Sequence, residues 1–166
     1  VEENDNWWSL NQFENPLNVE CHETTTAREI IKQIFIERQL EPEVLICGAG
    51  TGGTIMGVGR ALKRINKSIR IIQVKPAEGA LEHGIQGIGD GGDYLVDPDF
   101  IDEIVHIKTE DAIAKAKELS SNGLLVGISA GANVLAAEQI AKTHQGKGAI
   151  ITFLCDRGER YLSLYS

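Results

Sequence analysis

The sequence predicts an α/β protein with an open parallel sheet and helices on both faces of that sheet. Short apolar runs rich in β-branched residues alternate with longer segments whose apolar residues recur at helical spacing. Two connections from a predicted strand into a helix are rich in glycine and other small residues, as in βαβ units. With 166 residues, 42% of them hydrophobic, the chain can bury one sizeable core. We therefore interpret residues 1–166 as a single α/β domain.

The first half of the chain predicts a helix followed by a βαβ unit. Thr26 and Glu29 have the spacing of a capping box, so we expect a helix that begins there and ends before Pro42. The pattern then predicts a strand at 43–48, a glycine turn at 48–54, a helix at 55–65 and a strand at 69–74.

The second half begins with an irregular stretch, 75–100, whose glycines and prolines leave little room for a regular element. A stretch of this length without regular structure is usually functional. The pattern beyond it predicts a strand at 103–108, a helix from Thr109 closed by Asn122 and Gly123, a strand beginning at Leu124, a small-residue turn at 127–131, a helix, and a last strand at 148–155.

Composition excludes several classes of function. The net charge is -8 and no run of Lys or Arg is present, so nucleic acid is not an expected partner. No apolar run approaches the roughly 18 to 20 residues that span a bilayer, and we expect a soluble protein without a membrane segment. The three cysteines include no CxxC pair, which favours a reducing, cytoplasmic location, and the histidines show no metal-ligand spacing.

The glycine turn at 48–54 predicts a phosphate site. Ligands of open parallel sheets bind beyond the carboxyl ends of the strands, where this turn lies. Glycines let the unpaired N–H groups of a helix N-terminus approach an anion. Gly48, Gly50 and Gly53 match G-x-G-x-x-G, which suggests an NAD(P)-binding oxidoreductase domain, yet the second strand ends in Lys75 rather than an acidic residue. Close helix–strand packing alone is a further explanation of the glycines.

Five motifs, in order along nearly the whole chain, resemble the cysteine synthase (O-acetylserine sulfhydrylase) family of fold-type-II pyridoxal-phosphate enzymes. The motifs are NQFENPLNVECHETTTAREI at 11–30, GTGGT at 50–54, IQGIG at 85–89, GISAGAN at 127–133 and DRGERYLS at 156–163. The resemblance implies pyridoxal 5'-phosphate as the cofactor and β-replacement as the chemistry, with L-cysteine made from an activated serine and sulfide.

The resemblance also implies which residues bind the cofactor. Its phosphate would be held by the backbone and hydroxyl donors of Gly50, Thr51, Gly52, Gly53 and Thr54. Ser129 would hydrogen-bond the pyridine nitrogen, although it can also be the N-cap of a helix beginning at Ala130. The substrate side of the cofactor would be lined by Gly87, Ile88 and Gly89.

In this family the lysine that forms a Schiff base lies in an N-terminal S-x-K-D-R-like motif, which this sequence lacks. We therefore expect the chain to correspond to the C-terminal half of such an enzyme, to carry no catalytic residue and to be inactive alone. Lys75 is the lysine nearest the predicted site, but its position in the family motif is variable. A non-catalytic binding module with the same fold is the other alternative. A homodimer, and binding of the C-terminal tail of serine acetyltransferase, are partners that the resemblance implies.

Several other residues are expected to have structural roles or to affect access to the site. Asp90 and Asp93 depart from the family pattern and would lie at the active-site entrance, where negative charge disfavours a phosphorylated substrate. Cys155 is expected at the end of a buried strand, and His22 in a packing or hydrogen-bonding role. The last structural expectations are an ion-paired corner at Asp156, Glu159 and Arg160, and a sheet or dimer surface covered by Trp7 and Trp8.

Overall fold

The sheet of the described chain has four parallel strands in the order β3-β2-β1-β4. The computed structural model describes residues 9–79, 82–89, 92 and 94–165. The strands are β1 (Pro42–Gly48), β2 (Arg70–Pro76), β3 (Glu103–Ile107) and β4 (Ala149–Ile151). The parallel sheet and its βαβ unit agree with the sequence prediction. The expectations for Trp7, Trp8, Asp90 and Asp93 fall outside the described residues.

Helices cover both faces of the sheet, as predicted. They are α1 (Leu17–Thr24), α2 (Thr26–Ile30), α3 (Gly53–Ile65), α4 (Thr109–Ser121), α5 (Ile128–Thr143) and α6 (Leu162–Tyr165). In β1, Leu45 and Cys47 pack against the layer formed by α1, α2 and α3, whereas Val44 and Ile46 pack against α4 and α5. This alternation is the period of two that a strand buried on both faces requires.

The helical region before β1 differs from the prediction. Helix α1 was not expected, and the predicted capping box is absent because the N-cap of α2 is Thr25, which makes no side-chain cap. The Thr26 hydroxyl instead hydrogen-bonds His22 Nδ1 at 3.0 Å. After α2 the chain continues as a π-helical segment, Ile31–Glu37. Interaction with α1 has therefore replaced a local cap.

Two predictions in the second half need correction. The apolar run that begins at Leu124 forms no strand, and its one described pairing is an isolated antiparallel bridge from Val126 to Arg157. Leu124 is 49% exposed whereas Val126 is buried, and the run is not one of the four strands of the sheet. The last strand is only Ala149–Ile151, shorter than predicted. The closure of α4 is confirmed, since Gly123 follows it with φ +90°.

Helix α1 packs across α3 at Gly57. A Cβ at this position would lie 2.8 Å from the backbone nitrogen of Glu23 and 2.8 Å from Cβ of His22. The missing side chain lets the two helices approach closely, which brings α1 over the N-terminal turn of α3. Among the helices in the described ranges, none is both long and apolar enough to cross a membrane.

Candidate functional site

A cavity of about 680 Å³ opens beyond the carboxyl end of β1. This is the edge at which ligands of open parallel sheets bind, and the volume is within the usual range for small-molecule sites. The cavity wall contains seven of the nine predicted site residues: Gly50, Thr51, Gly52, Thr54, Gly87, Ile88 and Ser129. Gly53 and Gly89 do not contribute to the wall.

The glycine loop has a shape that larger residues would prevent. Gly52 has φ +90° and is the N-cap of α3, a conformation that favours glycine. A Cβ on Gly50 would lie 2.6 Å from the carbonyl oxygen of Gly87. The Gly89 N–H donates to the Ala49 carbonyl at 3.1 Å. The loop around Gly87 therefore packs backbone to backbone against the glycine loop, and together they form one wall.

The N-terminus of α3 directs donors toward the cavity. This helix has 13 residues, and the N–H groups of its first turn have no partner within the helix. The Gly53 N–H is not aimed outward, because it donates to Thr51 Oγ1 at 3.2 Å. Thr51 and Thr54 also line the cavity, and each carries a hydroxyl group. The arrangement suits an anion with several acceptor oxygens.

Helix α1 contacts both threonines. Asn18 Nδ2 donates to Thr51 Oγ1 at 3.0 Å, and His22 Nε2 lies 3.3 Å from Thr54 Oγ1. The expectation of a hydrogen-bonding role for His22 is therefore confirmed. Burial lowers the pKa of His22 from its ordinary value, so the imidazole is neutral at neutral pH. The sequence pattern did not predict α1, and the four-residue spacing of Asn18 and His22 was the available signal.

Ser129 also lines the cavity and lies in the first turn of α5. Its prediction as a helix N-cap is wrong, because α5 begins at Ile128 and its N-cap is Gly127. Ser129 is only 4% exposed, and its hydroxyl hydrogen-bonds the thiol of Cys155. The position gives the cavity lining a neutral hydroxyl at Ser129.

Cys155 differs from its prediction. It lies beyond the end of β4 at Ile151 and is exposed in the cavity wall, rather than at the end of a buried strand. Neighbouring protein atoms exclude water from the sulfur, and this desolvation raises the pKa of the Cys155 thiol. The negative charge of Asp156 raises that pKa further. The thiol is therefore protonated and a weak nucleophile at neutral pH.

Asn133 connects three walls of the cavity, and sequence analysis gave it no role. Its side chain is fully buried in α5. Its Oδ1 accepts from the Gly48 N–H at 2.8 Å, and its Nδ2 donates to the Phe153 carbonyl at 3.0 Å. The signal in the sequence was a polar residue on an otherwise small and apolar helix.

The corner after β4 is held differently from the prediction. Glu159 pairs with Arg157 at 2.6 Å, not with Arg160. Asp156 Oδ2 accepts from the Tyr161 hydroxyl at 3.0 Å. The Asp156 carbonyl also accepts from the Gly127 N–H at 3.1 Å, which joins this corner to the start of α5. The corner therefore fixes the turn that carries Ser129.

No lysine is among the described residues that line this cavity. Lys75 instead lines a second cavity of about 330 Å³ that includes residues of β2 and β3. The described residues contain no cluster of His, Cys, Asp and Glu suited to a metal ion. The cavity can thus bind and orient an anionic ligand through backbone and hydroxyl donors, and Arg160 adds a cationic side chain to its lining.

Comparisons with known proteins agree with this geometry. The family model described as "Pyridoxal-phosphate dependent enzyme" matches residues 1–156. Cysteine synthase B of Campylobacter jejuni is 42% identical over 166 residues, covering 95% of this chain and 54% of that protein. A cysteine synthase of Staphylococcus aureus is 35% identical over 178 residues, covering 100% of this chain and 56% of its own length.

Solved structures give the same result. Cysteine synthase from Entamoeba histolytica aligns with a TM-score of 0.85 at 37% identity, covering 99% of this chain and 51% of that one. A hydrogen sulfide-producing enzyme from Fusobacterium nucleatum aligns with a TM-score of 0.87 at 31% identity, covering 98% of this chain and 51% of that one. The chain spans about half the length of the curated relatives it matches.

Proposed function

Because the chain belongs to the family of pyridoxal-phosphate-dependent enzymes, we propose that it forms the cofactor-holding part of an enzyme that makes L-cysteine. The proposed reaction is β-replacement on an activated serine, with sulfide as the incoming nucleophile. The family match confirms the resemblance and the cofactor class predicted from the motifs, and it disfavours the NAD(P) alternative. The observation that carries the proposal is that the glycine loop and Ser129 line the same cavity.

The residues of the cavity fit pyridoxal 5'-phosphate. A phosphate ester needs several donors and a close backbone, and glycine at 50 and 52 lets the loop pack against Gly87 and Val96, where a Cβ would collide. The Thr51 and Thr54 hydroxyls add side-chain donors. Ser129 offers the ring nitrogen a neutral hydroxyl. When bound, the cofactor supplies an electron sink for charge that develops on the amino-acid substrate.

The chain's own residues bind and orient in this proposal. A hydroxyl at Ser129 does not stabilise a protonated ring nitrogen as a carboxylate would, which favours elimination and replacement over transamination. Gly87 and Ile88 close the substrate side, and the buried Ile88 side chain helps to exclude water. Since no lysine lines the described cavity, covalent attachment of the cofactor is not assigned to these residues.

We further propose that the chain corresponds to the C-terminal half of such an enzyme and is inactive alone. A homodimer, the acetyltransferase tail as partner and a cytoplasmic location remain part of this proposal, supported by the family resemblance. The absence of lysine from the described cavity lining favours a second candidate, a non-catalytic binding module.

Two measurements test the proposed function. Equilibrium dialysis of residues 1–166 against pyridoxal 5'-phosphate and against NAD⁺ is expected to show binding of the first only, with Ser129→Ala weakening it. The protein purified from its natural source is expected to produce cysteine from O-acetylserine and sulfide, whereas residues 1–166 alone are not. Cofactor binding without cysteine production by the source protein would favour the binding module. Binding of NAD⁺ alone would refute the proposal.

A further inference from the structure

Two residues of α1 lie directly over the glycine loop. Asn18 and His22 are four residues apart and therefore share one face of the helix. Each contacts a different threonine of the loop, at 3.0 Å for Asn18 with Thr51 and 3.3 Å for His22 with Thr54. A Cβ on Gly53 would overlap the Asn18 amide, so glycine at 53 is what admits that side chain.

The Thr51 hydroxyl has its acceptor capacity filled. A hydroxyl has one hydrogen to donate and two lone pairs that accept. Thr51 Oγ1 accepts from Asn18 Nδ2 at 3.0 Å and from the Gly53 N–H at 3.2 Å. Its hydrogen is therefore the remaining hydrogen-bonding capacity, and no described residue accepts it. Because Thr51 lines the cavity, this hydrogen is available to a ligand there.

His22 can likewise leave the Thr54 hydroxyl hydrogen free for the cavity, although it fills only one of the two lone pairs of Thr54 Oγ1. Its Nδ1 lies 3.0 Å from Thr26 Oγ1 and its Nε2 lies 3.3 Å from Thr54 Oγ1. A neutral imidazole donates from one nitrogen and accepts at the other. If Thr26 donates to Nδ1, then Nε2 carries the hydrogen and donates to Thr54. Thr54 then keeps its own hydroxyl hydrogen for the cavity.

We propose that Asn18 and His22 are positioning residues that commit the Thr51 and Thr54 hydroxyls to donate into the cavity. The inference rests on the proposed function and deepens it, because it specifies how the loop selects its ligand. A phosphate ester offers acceptors and almost no donors at neutral pH, so two committed donors suit it. A ligand group that must itself donate would find no free lone pair on the Thr51 oxygen and only one on the Thr54 oxygen.

The test measures affinity for 4-deoxypyridoxine 5'-phosphate, which has no aldehyde and cannot react with surface lysines. 4-Deoxypyridoxine, which lacks the phosphate, is the comparison ligand. Asn18→Leu removes the donor without changing charge, and Asn18→Asp replaces the donor by an acceptor. We expect the affinity for the phosphorylated ligand to fall about threefold to tenfold in the first and at least about tenfold in the second. Affinity for 4-deoxypyridoxine is expected to be unchanged in both.

Matched controls separate the loss of the hydrogen bond to threonine from a change of net charge and from a general loss of folded structure. Asn15→Asp makes the same charge change three residues earlier, at a side chain that bonds the Leu10 carbonyl, and is expected to bind as wild type does. His22→Phe removes both nitrogens and is expected to weaken phosphate binding about threefold or more. His22→Gln can still donate to Thr54 and is expected to keep most of the affinity for the phosphorylated ligand. His106→Phe, on an exposed position of β3, is expected to have no effect.

A measurement on the unmutated chain does not depend on how variants fold. The ¹⁵N shifts of the His22 ring report which nitrogen carries the hydrogen, and we expect the Nε2–H form. The Nδ1–H form would overturn the role of His22, and wild-type phosphate affinity in Asn18→Leu would overturn that of Asn18. Both results leave the proposed function intact if the wild type binds the phosphorylated ligand. Failure of the wild type to bind it would refute the proposed function itself, and this inference with it.

Discussion

The fully buried side-chain amide of Asn133 accepts a hydrogen bond from the backbone N–H of Gly48, 2.8 Å away at the end of β1. The same amide donates to the Phe153 carbonyl beyond β4. One side chain of α5 thus holds two other segments at fixed distances from that helix. They are the start of the glycine loop and the start of the segment after β4. Together with α5 they form three of the walls of the candidate site, so its shape depends on a residue that does not line it.

Replacing Asn133 by leucine is expected to destabilise the fold by about 2–4 kcal/mol, because a buried donor and a buried acceptor both lose their partner. Urea denaturation followed by far-UV circular dichroism measures this change. Gln139→Leu is the control, since it makes a similar change at an exposed position of the same helix and is expected to stay within about 0.5 kcal/mol. Equal stability of the two variants would show that the Asn133 bridge does not hold the site together.

A pair of glycines separates backbone strain from steric contact. Gly52 and Gly123 both have φ +90°. A Cβ at Gly123 meets nothing within 4 Å, whereas one at Gly52 lies 2.8 Å from the backbone nitrogen of Val96. Gly123→Ala is expected to cost about 1–2 kcal/mol from conformation alone. Gly52→Ala is expected to cost at least about 1 kcal/mol more, because backbone atoms must move.

Denaturation curves of these two variants, compared with that of the wild type, give the loss of unfolding free energy in each. Gly52→Ala is also expected to lose affinity for pyridoxal 5'-phosphate, since the displaced loop carries the threonines, while Gly123→Ala keeps it. If the two variants were equally stable and bound equally, the close approach at Gly52 would not shape the site.

The stability of the chain is expected to depend on Glu78 in a defined pH range. The Thr109 N–H, the first of α4, donates to Glu78 Oε1 at 2.8 Å and lowers the pKa of this carboxyl below its ordinary value of 4.5. A carboxyl with a depressed pKa stabilises the folded state above its ordinary value, and this contribution is lost as the pH falls through the depressed value. Glu78→Gln is therefore expected to be less stable than wild type at pH 7, with a difference that shrinks below pH 4.5.

Unfolding free energies measured between pH 7 and pH 3 test this. Glu82→Gln removes the same charge at an exposed position four residues away and serves as the control. A Glu78→Gln deficit that stayed constant down to pH 3 would mean that the carboxylate charge is not what stabilises the N-terminus of α4.

The βαβ unit could be predicted because its signals are local. β1 is an almost entirely buried run, α3 has a strong apolar stripe, and glycines mark the turn that joins them. The cavity at the carboxyl edge was therefore predictable, as was the presence of the threonines in its wall.

The parts that were not predicted depend on tertiary contacts. Helix α1 has little amphipathic pattern, and it is held by its packing on Gly57 of α3, which no local pattern reports. The run at Leu124 has the composition of a strand, but no neighbouring strand of the sheet pairs with it in the described residues. The link from Asn133 to Gly48 joins residues 85 positions apart, so only the folded chain brings them together.

The three cysteines are expected to report ligand binding by their rates of alkylation. Cys21 is exposed and does not line the cavity, so it is expected to react first with iodoacetamide at pH 8. Cys155 is also exposed, but its raised pKa leaves little thiolate and it is expected to react more slowly. Cys47 is only 2% exposed, and burial raises the pKa of its thiol strongly, so it is expected to react only on unfolding.

Ligand in the cavity is expected to slow the alkylation of Cys155 further. The Cys155 sulfur lies near Ser129, in the part of the wall where the ring nitrogen is proposed to lie. Peptide mass spectrometry after timed labelling, with and without 4-deoxypyridoxine 5'-phosphate, gives the rate at each cysteine. Cys21 is the internal control, since its rate is not expected to change with ligand. Protection of Cys21 instead of Cys155, or no protection of either at saturating ligand, would mean that the ligand does not reach the Ser129 wall, and the proposed orientation of the cofactor would be wrong.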